Sequence, residues 1–180
     1  MKIAVIGWGS LIWDPRDLDV EPRWRKNGPM LPVEFARFSS RDRLTLVLVE
    51  GVPLQPTLWT LSKTESLRAA RENLSKREGT SADRIGRWSR RDEASSISGT
   101  ATVVAKWAVE LGLDGVVWTA LGPNTLDNKN GLVPSDERIV YLKSLVAVGK
   151  ADAAREYFEQ APAQIATPLR QRIREELDWR

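Results

Sequence analysis

Glu78 is the residue best placed by its spacing to move a proton. If a helix runs from Ser62 to Gly79, its apolar stripe passes through Leu67, Ala70 and Leu74, and Glu78 follows Leu74 by four residues on the same face. Burial disfavours the charged form of a carboxylate, and the last turn of a helix presents the negative end of its dipole. Both effects point the same way, toward a carboxyl expected to hold or release a proton, as a proton shuttle requires. The alternative is an exposed glutamate tempered by Lys76 and Arg77.

A second feature is the turn Gly7-Trp8-Gly9-Ser10-Leu11, directly after an apolar run. Glycines at a strand end let backbone N–H groups approach a ligand oxygen without a Cβ in the way. The turn lacks the third glycine and the following helix of a dinucleotide fingerprint. Glycines that merely punctuate a strand end are its other reading.

The residue inventory narrows the chemistry. The 180 residues contain neither cysteine nor histidine, which excludes disulfides, thiolate metal sites, Cys nucleophiles and Ser-His-Asp triads. A general acid or base must then be Asp, Glu, Lys or Tyr. The only tyrosines, Tyr141 and Tyr157, fall on expected helices, which leaves a carboxylate for the task. A net charge of +3 suits anionic ligands and falls short of a nucleic-acid-binding arm. The eight tryptophans are expected in the core or as pocket walls.

The elements that must position these residues can be read from periodicity. Residues 1–6 read as a first strand, 33–39 and 43–49 as a hairpin, 56–61 as a third candidate and 115–121 as a late buried strand. Ser62 and Glu65 have capping-box spacing for the first helix, with Gly79 as its stop. Further helices are expected over 97–111, from Ser135, over 150–160, and from Thr167-Pro168, a cap followed by proline in the first turn. Early strands close in sequence and a late strand delivered by a helix suggest an α+β fold, with a mixed, barrel-like β-sheet and surrounding helices. Length and the absence of a linker suggest one domain over 1–180, in which 122–180 forms a loop and helical extension. No apolar run reaches membrane-spanning length. The apolar opening is broken by Gly7 and Gly9 and offers no cleavage site, so a cytoplasmic location is expected.

Taken together, VIGWGSLIWDP (5–15) and PTLWTLSKTESLRAARENLSKREG (56–79) resemble the γ-glutamylcyclotransferase-like family. There a first strand ends in Tyr-Gly-Ser, and a later strand and helix carry the catalytic glutamate. The resemblance implies that Glu78 is the catalytic acid/base and that the Gly9, Ser10 and Leu11 backbone cradles the γ-glutamyl portion, with Trp8 and Trp13 as pocket walls. The implied reaction forms 5-oxoproline from a γ-glutamyl amine or amide and releases the amine. No cofactor or metal is implied, and the expected partner is a small-molecule γ-glutamyl substrate. Trp8 stands where the family motif has tyrosine, and the resemblance does not extend beyond about residue 121. A non-catalytic member of the same fold, binding a small acidic metabolite or a protein partner, is the alternative.

Other segments are open to two readings each. RIGRWSRR (84–91) surrounds Trp88 with Arg84, Arg87, Arg90 and Arg91; a solvated loop is favoured over a surface that binds single-stranded nucleic acid by charge and stacking. GPNTLDNKNGLVP (122–134) is a surface loop or a pocket lid. Asp14 and Asp17 are either secondary carboxylates for the site or turn residues. The final helix is expected to be amphipathic, with its charged side in water.

Overall fold

A computed structural model describes residues 1–91 and 99–180, which form a mixed α+β chain. In chain order the elements are β1 (Ile3–Gly7), β2 (Met30–Leu31), β3 (Val33–Ser39), β4 (Arg43–Leu48), β5 (Gln55–Pro56), β6 (Leu58–Leu61) and α1 (Leu67–Glu78). A short 3-10 turn then leads to β7 (Ile85–Ser89), α2 (Gly99–Glu110), β8 (Gly115–Thr119), α3 (Ser135–Ala147), α4 (Asp152–Gln160) and α5 (Pro168–Leu177). The expected start of the second helix, at 97–98, lies outside the described residues. The chain groups into two compact units, Met1–Leu31 with Pro56–Leu121, and Pro32–Gln55 with Gly122–Arg180.

The first unit is built on a four-stranded sheet of order β6-β1-β8-β7. β1 is central and all five of its residues are buried. It runs antiparallel to β6 and parallel to β8, while β7 and β8 are antiparallel. Among the described residues none of the sheets closes into a barrel, whereas a barrel-like sheet was expected. The hairpin β3–β4 forms a two-stranded sheet of its own.

One face of the sheet carries Ile3, Val5, Ile85 and Val117, which form a core with Ala70 and Leu74 of α1 and with Leu11, Leu18 and Val20 from the loop after β1. Full burial of each large side chain here contributes roughly 1.5–3 kcal/mol. Two glycines permit close approaches. A Cβ at Gly86 would overlap the Trp118 indole across the β7–β8 ladder, and one at Gly7 would lie 2.8 Å from the Trp24 ring. On α2, Trp107 meets Trp59 edge to face at 5.4 Å and donates its indole N–H to the Asn27 carbonyl at 3.0 Å.

Helix α1 begins later than the Ser62–Glu65 spacing suggests. The Ser62 N–H donates to the Ile3 carbonyl at 2.8 Å and so still belongs to the strand ladder. The cap is Ser66, whose side chain accepts from the Ala69 N–H at 3.2 Å. The stop is Gly79, left-handed at φ 63°, a conformation glycine adopts without Cβ strain.

In the second unit β3 and β4 pair antiparallel, with a register irregularity between Phe35 and Arg37. In its core Phe35 meets Phe158 with tilted rings at 5.7 Å and Phe158 meets Trp179 edge to face at 5.8 Å, beside the buried Ile165, Leu169 and Ile173. Thr167 caps α5 as expected, accepting from the Arg170 N–H at 3.1 Å. The Asn124 side chain acts as a surrogate strand residue: its Oδ1 accepts from the Phe38 N–H at 2.7 Å and its Nδ2 donates to the Phe38 carbonyl at 3.1 Å. Residues 122–180 therefore supply helices and a loop that pack on the hairpin, with α4 against β4 and α5 against β3.

The guanidinium of Arg170, 2% exposed, donates to the carbonyls of Phe158, Ala161, Pro162 and Ile165. Burial, and then the charge of Arg174, lowers its pKa to about 10. It is still a cation at neutral pH, held by carbonyl dipoles in place of a carboxylate.

Candidate functional site

The first unit brings the Gly-Ser turn and the end of α1 together on one side chain, Arg77. β1 ends at Gly7, and the chain turns tightly: the Ile12 N–H donates to the Gly9 carbonyl at 3.1 Å and the Asp14 N–H to the Ser10 carbonyl at 2.8 Å. Ser10 and Leu11 occupy the two central positions of the Gly9–Ile12 turn. The turn leaves the carboxyl end of β1, beside the carboxyl end of the parallel strand β8.

Arg77 reaches this turn from α1. Its Nη2 donates to Ser10 Oγ at 3.2 Å and to the Asp14 carbonyl at 2.6 Å, and its Nη1 pairs with Glu78 Oε1 at 2.9 Å. The Arg77 side chain is 4% exposed and that of Glu78 is 16% exposed. One turn earlier on α1, Asn73 holds the same loop further along. Its Oδ1 accepts from the Asp19 N–H at 2.8 Å and its Nδ2 donates to the Asp17 carbonyl at 3.0 Å.

The buried stripe of α1 reaches the last turn of the helix as expected but ends on Arg77 in place of Glu78. The buried residues of α1 are Ala70, Leu74 and Arg77, while Glu78 is half-buried on the flank of that stripe. A step of three residues from Leu74 stays nearer the buried face here than a step of four. Arg77, read from sequence only as a charge tempering Glu78, therefore sits at the centre of the arrangement. A basic residue on an apolar stripe, immediately before the singled-out carboxylate, is the signal that could have found it.

The other expected site residues fall as follows. Trp8, Gly9 and Leu11 are buried, Leu11 with its side chain in the core, while Ser10 and Trp13 are half-buried. Gly7 is required by the Trp24 ring beside it, which is a packing reason rather than a ligand one. Asp14 and Asp17 contribute their backbone carbonyls to the α1 contacts, and the Asp14 carboxylate turns to Arg16 at 3.2 Å. The middle of the Arg-rich segment, with Arg87, is the strand β7 rather than a loop, while Arg84 precedes that strand and Arg90 and Arg91 follow it in a turn. Trp88 is buried in β7 and offers no open ring for stacking a base, while Arg84, Arg87, Arg90 and Arg91 are exposed. Among the described residues no group of three or more acidic side chains is gathered to hold a metal ion, and no helix is long and apolar enough to cross a membrane.

No family model, curated protein or solved structure matches this chain.

Proposed function

We propose that the first unit of this protein has the activity of a γ-glutamylcyclotransferase-like enzyme, closing a γ-glutamyl amine or amide to 5-oxoproline with release of the amine. The observation that carries this reading is the convergence of Ser10 and Glu78 on the buried Arg77 guanidinium, 3.2 and 2.9 Å away. It puts a carboxylate and a Gly-Ser turn, the two components that such a reaction needs from a protein, within reach of one another.

The substrate supplies its own nucleophile, so no Ser or Cys nucleophile is needed. Its α-amine nitrogen attacks the γ-carbonyl carbon, forming the lactam C–N bond. The tetrahedral intermediate collapses with loss of the bond to the leaving amine. Glu78 takes the proton that the α-ammonium gives up and passes it to the leaving nitrogen. The N–H groups of Ser10 and Leu11 stabilise the developing oxyanion. Trp8 and Trp13 bound the site.

The test is 5-oxoproline release from a panel of γ-glutamyl amines and dipeptides, comparing wild type with Glu78→Gln. Release by the wild type that falls at least about 100-fold in a folded Glu78→Gln protein supports the assignment. No release from any member of the panel overturns it.

The Arg77–Glu78 ion pair also favours a second reading, a non-catalytic module binding a small acidic metabolite or a protein partner. In that reading Glu78 serves only to keep Arg77 neutralised beside the turn. Binding of a γ-glutamyl compound that survives Glu78→Gln, without turnover in either protein, would select it.

A further inference from the structure

We infer that Arg77 is the positioning residue of this site, fixing the Glu78 carboxylate relative to the Gly9–Ser10 turn. This inference rests on the reading of the site given above. A guanidinium with 4% of its side chain exposed loses most of its hydration, a cost that hydrogen bonds and an opposite charge must offset. Arg77 uses them on three groups from two separate elements: the Ser10 hydroxyl, the Asp14 carbonyl and the Glu78 carboxylate. The planar fork fixes direction as well as distance, which an ammonium does not.

Anchoring of the loop does not by itself account for this. Asn73, on the same helix, already grips the loop at Asp17 and Asp19. What Arg77 adds is the link to Ser10 on one side and to Glu78 on the other. The Arg77 Nε is buried with no hydrogen-bond partner among the described residues. The guanidinium is therefore oriented by its two Nη groups, the ones that face the turn and the carboxylate.

The experiment compares steady-state 5-oxoproline release by wild type, Arg77→Met, Arg77→Lys and Asn73→Ala, with far-UV circular dichroism and thermal unfolding to establish folding. The expected result for Arg77→Met is a kcat loss of about 100-fold, the scale of a misplaced reacting group, with KM changed less than about threefold. A changed pH–rate profile accompanies it. Arg77→Lys restores part of the rate, because it returns a charge beside Glu78 without the fork. Asn73→Ala, which loosens the same loop without touching Ser10 or Glu78, retains its kcat.

Should Arg77→Met fail to fold, Arg77→Lys carries the test through its own kcat and pH profile. The inference is overturned if a folded Arg77 variant keeps both kcat and pH profile. It is also overturned if Asn73→Ala loses as much rate as the Arg77 variants, since loop anchoring would then be the whole effect. Absence of release by the wild type overturns the cyclisation reading and this inference with it, an outcome distinct from active wild type with unaffected variants.

Discussion

Arg77 Nη2 lies 3.2 Å from Ser10 Oγ, joining residues 67 positions apart in the chain. The two elements that it ties, the turn after β1 and the last turn of α1, share the core of Leu11, Leu18, Ala70 and Leu74. Packing brings them together, and the guanidinium sets how they face. Ser10→Ala removes one charge-assisted hydrogen bond at a half-buried position and is expected to cost about 1 kcal/mol in chemical denaturation. A loss above about 3 kcal/mol would show that the hydroxyl does more than meet Arg77.

The start of α1 can be tested with two substitutions. Ser66→Ala removes the observed cap and is expected to lower stability by about 1 kcal/mol. Glu65→Ala alters an exposed residue that would matter only if Ser62 were the cap, and is expected to stay within about 0.5 kcal/mol. Urea denaturation of both proteins reads the difference, and the reverse order would move the helix start back to Ser62.

Gly86→Ala is expected to destabilise by about 3 kcal/mol, the upper range of overpacking, because its methyl group would enter the space of the Trp118 indole. Pairing this change with Trp118→Leu should recover much of the loss, as read by thermal unfolding. Equal losses with and without the indole would place the strain elsewhere.

Arg170→Met removes the donor that serves four carbonyl groups, of which only that of Pro162 keeps a backbone partner among the described residues, the Ile165 N–H at 3.0 Å. A loss of about 3 kcal/mol or more is expected, since each buried acceptor left unmet has its own cost. Arg170→Lys should rescue little, because a single ammonium cannot span acceptors arranged for a fork. Denaturation midpoints for both variants near that of the wild type would refute the clamp.

A pH effect is expected between α3 and α5. Lys143 and then Arg172 hold the Glu176 carboxyl below the usual carboxylate range, with Lys143 Nζ 2.7 Å from Oε2 and Arg172 Nη2 2.9 Å from Oε1. Because the folded value lies below the unfolded one, its stabilisation is present above the ordinary carboxylate range and is lost as pH falls through the lowered value. The Tm difference between wild type and Glu176→Gln should therefore shrink from about pH 7 to about pH 3. It should shrink also in about 1 M salt. A difference independent of pH would assign the effect to packing.

Much of the fold was legible because local signals and tertiary demands agree. The hairpin at 33–49 is marked by two β-rich runs, Gly79 by a helical pattern that ends on it, and Thr167-Pro168 by cap chemistry. β7 was not, because Gly86 lowers strand propensity and pairing with β8 makes the strand. The sheet order escaped as well: the strand runs carry no signal of which neighbours pair, and β6 and β8 lie on the two sides of β1. At the candidate site the carboxylate and the Gly-Ser turn could be singled out from spacing. Their link through Arg77 could not, because a difference of one residue on a helix face decides which side chain turns inward.

The bracket that Asn124 places around Phe38 has a consequence for life at high concentration. A strand grows into a fibre by recruiting another chain along its open backbone, and proteins that avoid this occupy the exposed N–H and C=O groups. On β3 the outward-facing groups of Phe38 are taken by a side-chain amide, and the Ala36 carbonyl by the Asn124 backbone N–H at 3.4 Å. A foreign strand arriving there finds the Phe38 N–H and C=O and the Ala36 carbonyl already engaged. The hairpin thus carries its own stopper, provided by a loop 86 residues further along the chain.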